Sequence, residues 1–137
     1  MKLKTEIIAL CDYANVSQEG KVNINGIFDE LRTEKLPSGF TDKYLVATIH
    51  GDADTSYTLN IKLEKNGNGH NLLKPTIINA KTSPNGKHNL IIRLAAVGIE
   101  AEGDYYFKIY DGKELVGSTL LKVIKLQKEQ VNFRTIN

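Results

Sequence analysis

Tryptophan is absent from the 137 residues, cysteine and methionine occur once each, and proline occurs three times. A lone cysteine cannot close an internal disulfide, so Cys11 gives no sign of an oxidising compartment. Its place in an apolar strand makes it a small buried hydrophobe. His50, His70 and His88 are scattered, with no His-x-His or His-Glu-x-x-His spacing. A zinc site would therefore need them to converge over long range on Cys11 or a carboxylate. Charge of one sign is lacking too: 18 Lys and Arg against 16 Asp and Glu leave a formal +2, with the signs interspersed. No broad field then draws a phosphate backbone, and no nucleic-acid partner is expected. No segment approaches the ~20 apolar residues of a bilayer span, so no membrane partner is expected either. Ile8-Ala9-Leu10-Cys11 has the outline of a lipoprotein cleavage site, but Glu6 interrupts the apolar stretch before it. Too little remains for a signal-peptide core, and a soluble cytoplasmic protein is the expectation.

What is present is alternation. The hydrophobic fraction of 41% and charged fraction of 25% are ordinary for a globular chain, and the length suits one domain with its own core. Apolar residues recur mainly with period two, and the breaks carry Gly, Asn, Asp or Pro, which predicts an all-β fold. Ile7 to Phe28 reads as two strands joined by Ser17-Gln18-Glu19-Gly20, a hairpin whose Gly20 can take a positive φ. Leu10 and Cys11 fall on opposite faces of the first strand, which predicts cover on both sides. Residues 30–43 break the alternation and read as a long connection crossing between sheets. Tyr44 to His50 is extended, and Tyr57, Leu59, Ile61 and Leu63 alternate with polar partners. Pro75 marks the strand in 72–81 as an edge. His88 to Val97, Tyr105 to Tyr110 and Leu115 to Leu126 complete about eight strands.

These features predict a single Greek-key β-sandwich, immunoglobulin-like or C2-like, over residues 1–126, followed by a tail over 127–137. The Gly103-Asp104-Tyr105 element resembles the start of a late strand in immunoglobulin-like sandwiches, where such a tyrosine forms a corner with the backbone upstream. Phe107 stands where antibody domains carry their second cysteine, so the likeness is to the architecture alone.

The stretch Leu10-Cys11-Asp12, Ala14-Asn15-Val16, followed by Gly26-Ile27-Phe28-Asp29, resembles the opening of a family of small bacterial proteins of unknown function. The likeness is specific over the first 30 residues and looser through Gly103-Asp104-Tyr105 and Asp111-Gly112. It implies a fold and brings no activity or site residue.

Candidate chemistry is sparse. Asp52 and Asp54, with Thr55 nearby, present loop oxygens to calcium, but six to eight ligands would require Asp29, Asp104 or Asp111 to converge with them. The alternative is a solvated turn. Gly67-x-Gly69 lacks the third glycine and strand-to-helix setting of a dinucleotide loop. Asn15-Val16-Ser17 fits a glycosylation acceptor, but without a secretory signal local bonding of Asn and Ser to the hairpin backbone is the better reading. Tyr106 and Tyr110, with Tyr44 or Tyr57, could form an aromatic surface for sugar or protein, but half-buried strand packing is the favoured reading. Leu120, Ile124 and Leu126 oppose Leu121 and Val123, so both faces of the last strand are apolar. The tail residues Val131, Phe133 and Ile136 could cover the second face or join a neighbouring subunit. The expectation is a non-enzymatic binding or assembly module, acting through loops or a sheet edge on a protein partner or as a homo-oligomer, without a cofactor. The alternatives are a calcium- or small-ligand-dependent binder using the Asp52/Asp54 loop and, third, a small hydrolase.

Overall fold

The computed structural model describes residues 2–127. Among these the chain is all strand and turn: β1 (Lys4–Val16), β2 (Val22–Phe28), β3 (Glu30–Thr33), β4 (Ser38–Phe40), β5 (Lys43–His50), β6 (Ser56–Lys65), β7 (Thr76–Lys81), β8 (Lys87–Leu94), β9 (Val97–Ile99), β10 (Gly103–Asp111) and β11 (Glu114–Lys125). The all-β expectation holds, with more strands than the about eight expected. The surplus lies in the short β3, β4 and β9. Val131, Phe133 and Ile136 of the expected tail lie outside the described residues.

Two sheets carry the fold, one in the order β2-β1-β5-β8 and one in the order β3-β11-β10-β6-β7, while β4 and β9 form a two-stranded pair. Alternation chooses their buried faces. In β6, Leu59, Ile61 and Leu63 are buried, and Asn60 and Lys62 between them are not. The buried residues of both sheets form one cluster, in which Leu10, Leu45, Ile49 and Leu90 of the first join Ile61, Phe107, Ile109 and Leu121 of the second. Phe107 is the largest of the fully buried side chains.

Residues 30–43 do cross between sheets, because β2 belongs to the first sheet and β3 to the second. They are not only a connection, however. β3 runs parallel to β11, with Leu31 opposite Val123 and Arg32 opposite Ile124, and the Lys122 N–H donates to the Asp29 carbonyl at 2.7 Å. A parallel partner so distant in the chain leaves no local sequence signal. β3 and β10 together answer part of the question of the second face of β11, since Ile124 is half-buried beside Arg32 of β3 and Leu120 beside Tyr106 of β10. The strand expected to run from His88 to Val97 stops at Leu94. Ala95 and Ala96 are exposed, and burial resumes at Val97 and Ile99 in β9. β7 is an edge, as Pro75 predicted.

Truncating Phe107 leaves a cavity that strands from both sheets must hold open. Phe107→Ala should therefore lower stability by about 3–5 kcal/mol, read as a lower urea midpoint at unchanged slope. A loss below about 1 kcal/mol would mean that the two sheets do not depend on this shared core.

Candidate functional site

An edge strand offers unpaired backbone groups, and proteins normally blunt such edges with charge, proline, brevity or cover. Three of the four edges of the two main sheets are blunted in that way. β3 has four residues, with the Arg32 Nε to Glu30 Oε2 pair at 2.9 Å. β7 follows Lys74-Pro75 and ends on Lys81. β8 carries Lys87 and Arg93, the latter bonded to Asp42, and His88 Nδ1 lies 2.9 Å from the Lys81 carbonyl of β7. β2, Val-Asn-Ile-Asn-Gly-Ile-Phe, has neither charge nor proline over its 7 residues.

The hairpin that presents β2 is fixed at its tip and its middle. At the tip the Ser17 N–H donates to the Lys21 carbonyl at 2.8 Å, the Lys21 N–H donates to Ser17 Oγ at 3.1 Å, and Gly20 has φ +83°. Asn23 Nδ2 donates to Asn15 Oδ1 at 3.0 Å across the ladder, so the Asn15-Val16-Ser17 triplet is spent on local bonding. In the middle, Gly26 has φ +71°, and a Cβ there would collide with the Asp12 carboxylate. The absence of that Cβ lets the Asp12 carboxylate lie over β2 and accept from Lys43 Nζ at 2.8 Å. The Leu-Cys-Asp and Gly-Ile-Phe stretches are thus halves of one packing arrangement.

Around this edge the surface is apolar. Ile27 is 67% exposed, Tyr13 49% and Val16 45%, and Tyr13 meets Tyr44 edge to face at 5.6 Å. Beneath them Cys11, Ala14 and Val46 form a second buried cluster, with Val22, Ile24, Tyr44 and Ile91 against it. The first strand is covered on both sides, as its pattern predicted. Burial, and then the Asp12 charge, push the Cys11 thiol above its ordinary range, while a backbone hydrogen bond at Tyr13 opposes them.

The other candidates are placed apart. The 52–54 turn is a structural knuckle: the Asp52 N–H donates to Tyr57 OH at 3.0 Å, the Asp54 N–H to the Ser83 carbonyl at 3.1 Å, and the Thr55 N–H to buried Thr82 Oγ1 at 2.9 Å. Among the described residues no three His, Cys, Asp or Glu gather as a metal would require, so Asp29, Asp104 and Asp111 do not join Asp52 and Asp54. Cys11 lies opposite Tyr44 and His50 opposite Lys4, at the two ends of β5, so these two do not converge. The four tyrosines do not share a surface. Tyr44 belongs to the outer cluster of the first sheet and Tyr57 packs on the main core. Tyr106 and Tyr110 lie in a polar network, in which buried Glu64 accepts from Lys108 Nζ at 3.0 Å and Tyr110 OH at 3.2 Å. Burial and the Glu64 charge raise the Tyr110 pKa, and the hydrogen bond to Glu64 raises that of Lys108. Tyr105 OH donates to the Ala101 carbonyl at 2.6 Å, the bond expected of a tyrosine corner. A cleft of about 350 Å³ beside Leu72, Ile92 and Val97 is lined by no Cys, His or carboxylate.

The sequence displayed the β1–β2 hairpin but not that β2 is an edge. The missing charge in Val22–Phe28 was the available signal. A model of a family of unknown function, DUF6941, matches residues 6–124. No curated protein matches the chain.

Gly26→Ala should cost about 1–3 kcal/mol through its positive φ and the Asp12 contact. Combining it with Asp12→Gly should recover part of that loss in a double-mutant cycle; strict additivity would mean that the two positions are independent. The raised Cys11 pKa means that the folded chain keeps the thiol proton where the unfolded chain loses it. Its stabilising contribution is complete below the ordinary thiol range of about 8.5 and is lost as pH rises through the folded value. Urea melts of wild type and Cys11→Ala should diverge in pH dependence only on the alkaline side.

Proposed function

Since the chain belongs to the DUF6941 family of unknown function, membership brings no activity, and we propose that it is a non-enzymatic binding and assembly module. It recognises an extended protein segment by adding a strand at β2. The observation that carries this reading is the uncharged β2 edge with Ile27 67% exposed on it. Backbone groups on such an edge supply affinity, and the side chains beside them supply selectivity. The scaffold in this reading is a Greek-key, immunoglobulin-like sandwich, which the single core between two sheets and the Tyr105 corner support. The balanced charge favours a protein surface over a phosphate backbone. Among the described residues no helix is long and apolar enough to cross a membrane. The reading assigns the module to the bacterial cytoplasm, in keeping with a free, buried Cys11.

A labelled peptide of alternating valine and threonine tests the edge. It should bind saturably by fluorescence anisotropy, and Ile27→Lys should weaken binding roughly tenfold, about 1.4 kcal/mol, while Ile77→Lys on the β7 edge leaves it unchanged. Absence of binding at protein concentrations where the chain is monomeric, or equal loss in both variants, would overturn the reading.

A further inference from the structure

The residues flanking β2 carry opposite charges: Lys21 immediately precedes the strand and Asp29 immediately follows it. Both are exposed. Among the described residues, Lys21 Nζ reaches Glu19 of its own turn at 3.9 Å, with both side chains mostly in water, and the Asp29 carboxylate has no cation beside it. An edge strand with a cation at one end, an anion at the other and no charge between has a matching partner in its own sequence, turned end for end.

Resting on the reading of β2 as a recognition edge, we infer that its partner is β2 of a second copy of this chain, joined antiparallel about a two-fold axis at Asn25. This register sets Val22 against Phe28 of the second copy, Asn23 against Ile27, Ile24 against Gly26 and Asn25 against itself. Lys21 of each copy then falls opposite Asp29 of the other. Every contact occurs twice, as an isologous interface requires. No like charges meet, and directly opposed unlike charges favour the pairing. Shifting the strands by one residue removes both Lys21–Asp29 pairs; in one direction it turns Lys21 toward Glu30, but Glu30 belongs to β3 of the other sheet and is bonded to its own Arg32. The first sheets of the two copies become one continuous sheet, and the outward backbone groups of both β2 strands find partners on either side of the bend at Gly26, which has φ +71°. Ile27, exposed in the single chain, gains a neighbour across the new ladder.

Charge reversal tests this on the full chain by sedimentation equilibrium. Wild type should show a concentration-dependent dimer. Lys21→Asp and Asp29→Lys should each weaken it roughly tenfold or more, because one substitution reverses two pairs. Mixing the two variants should restore a heterodimer, and the double variant Lys21→Asp with Asp29→Lys should restore the homodimer. Restoration on mixing cannot arise from misfolding. A wild type that stays monomeric, or a dimer indifferent to the reversals, would overturn the inference. The valine–threonine peptide keeps the two readings apart: Ile27-dependent peptide binding by a monomeric wild type would sink self-pairing and leave the edge reading standing, whereas loss of both would sink both.

Discussion

An open β-sheet ends in two strands whose outward N–H and C=O groups have no ladder to join, and two such sheets leave four edges to be dealt with. That constraint organises this molecule. The β7 and β8 edges approach one another, with His88 placed at the Lys81 carbonyl. The β3 edge is short and charged. β2 alone is neither shortened, charged nor interrupted by proline, and the apolar side chains around it continue onto the outer face of the same sheet. This difference between β2 and the other three edges is what the proposed strand recognition rests on.

The core makes that edge usable. Leucine, isoleucine and phenylalanine from both sheets share one buried cluster, and the smaller cluster around Cys11 stiffens the opposite face beneath Tyr13 and Tyr44. β1 is therefore held from both sides, and β2, paired along β1 from Val22 to Phe28, is presented on a rigid support. The contact of Asp12 with Gly26 and Lys43 adds a polar lock at the middle of the hairpin. Preorganisation of this kind lowers the ordering cost of association.

Much of the fold was legible because a strand with one buried face writes itself as period two. Leu59, Ile61 and Leu63 in β6 and Tyr105, Phe107 and Ile109 in β10 are cases where alternation and burial agree. β3, β4 and β9 were not legible, since three or four residues cannot establish a period and their partners lie far along the chain. The candidate site was half legible. The hairpin and its turn were plain, but the calcium reading of Asp52 and Asp54 depended on distant carboxylates that the fold does not bring to them.

Local geometry and one-sided burial are enough to specify the strands with strong alternation, the β1–β2 turn and the edge character of the strand after Pro75, and these can be read along the chain. The border position of β2, the Asp12 carboxylate in the space that Gly26 leaves and the pairing of β3 with β11 come from the assembled fold. These depend on which distant segments become neighbours, and a residue's type does not specify its neighbour across a sheet.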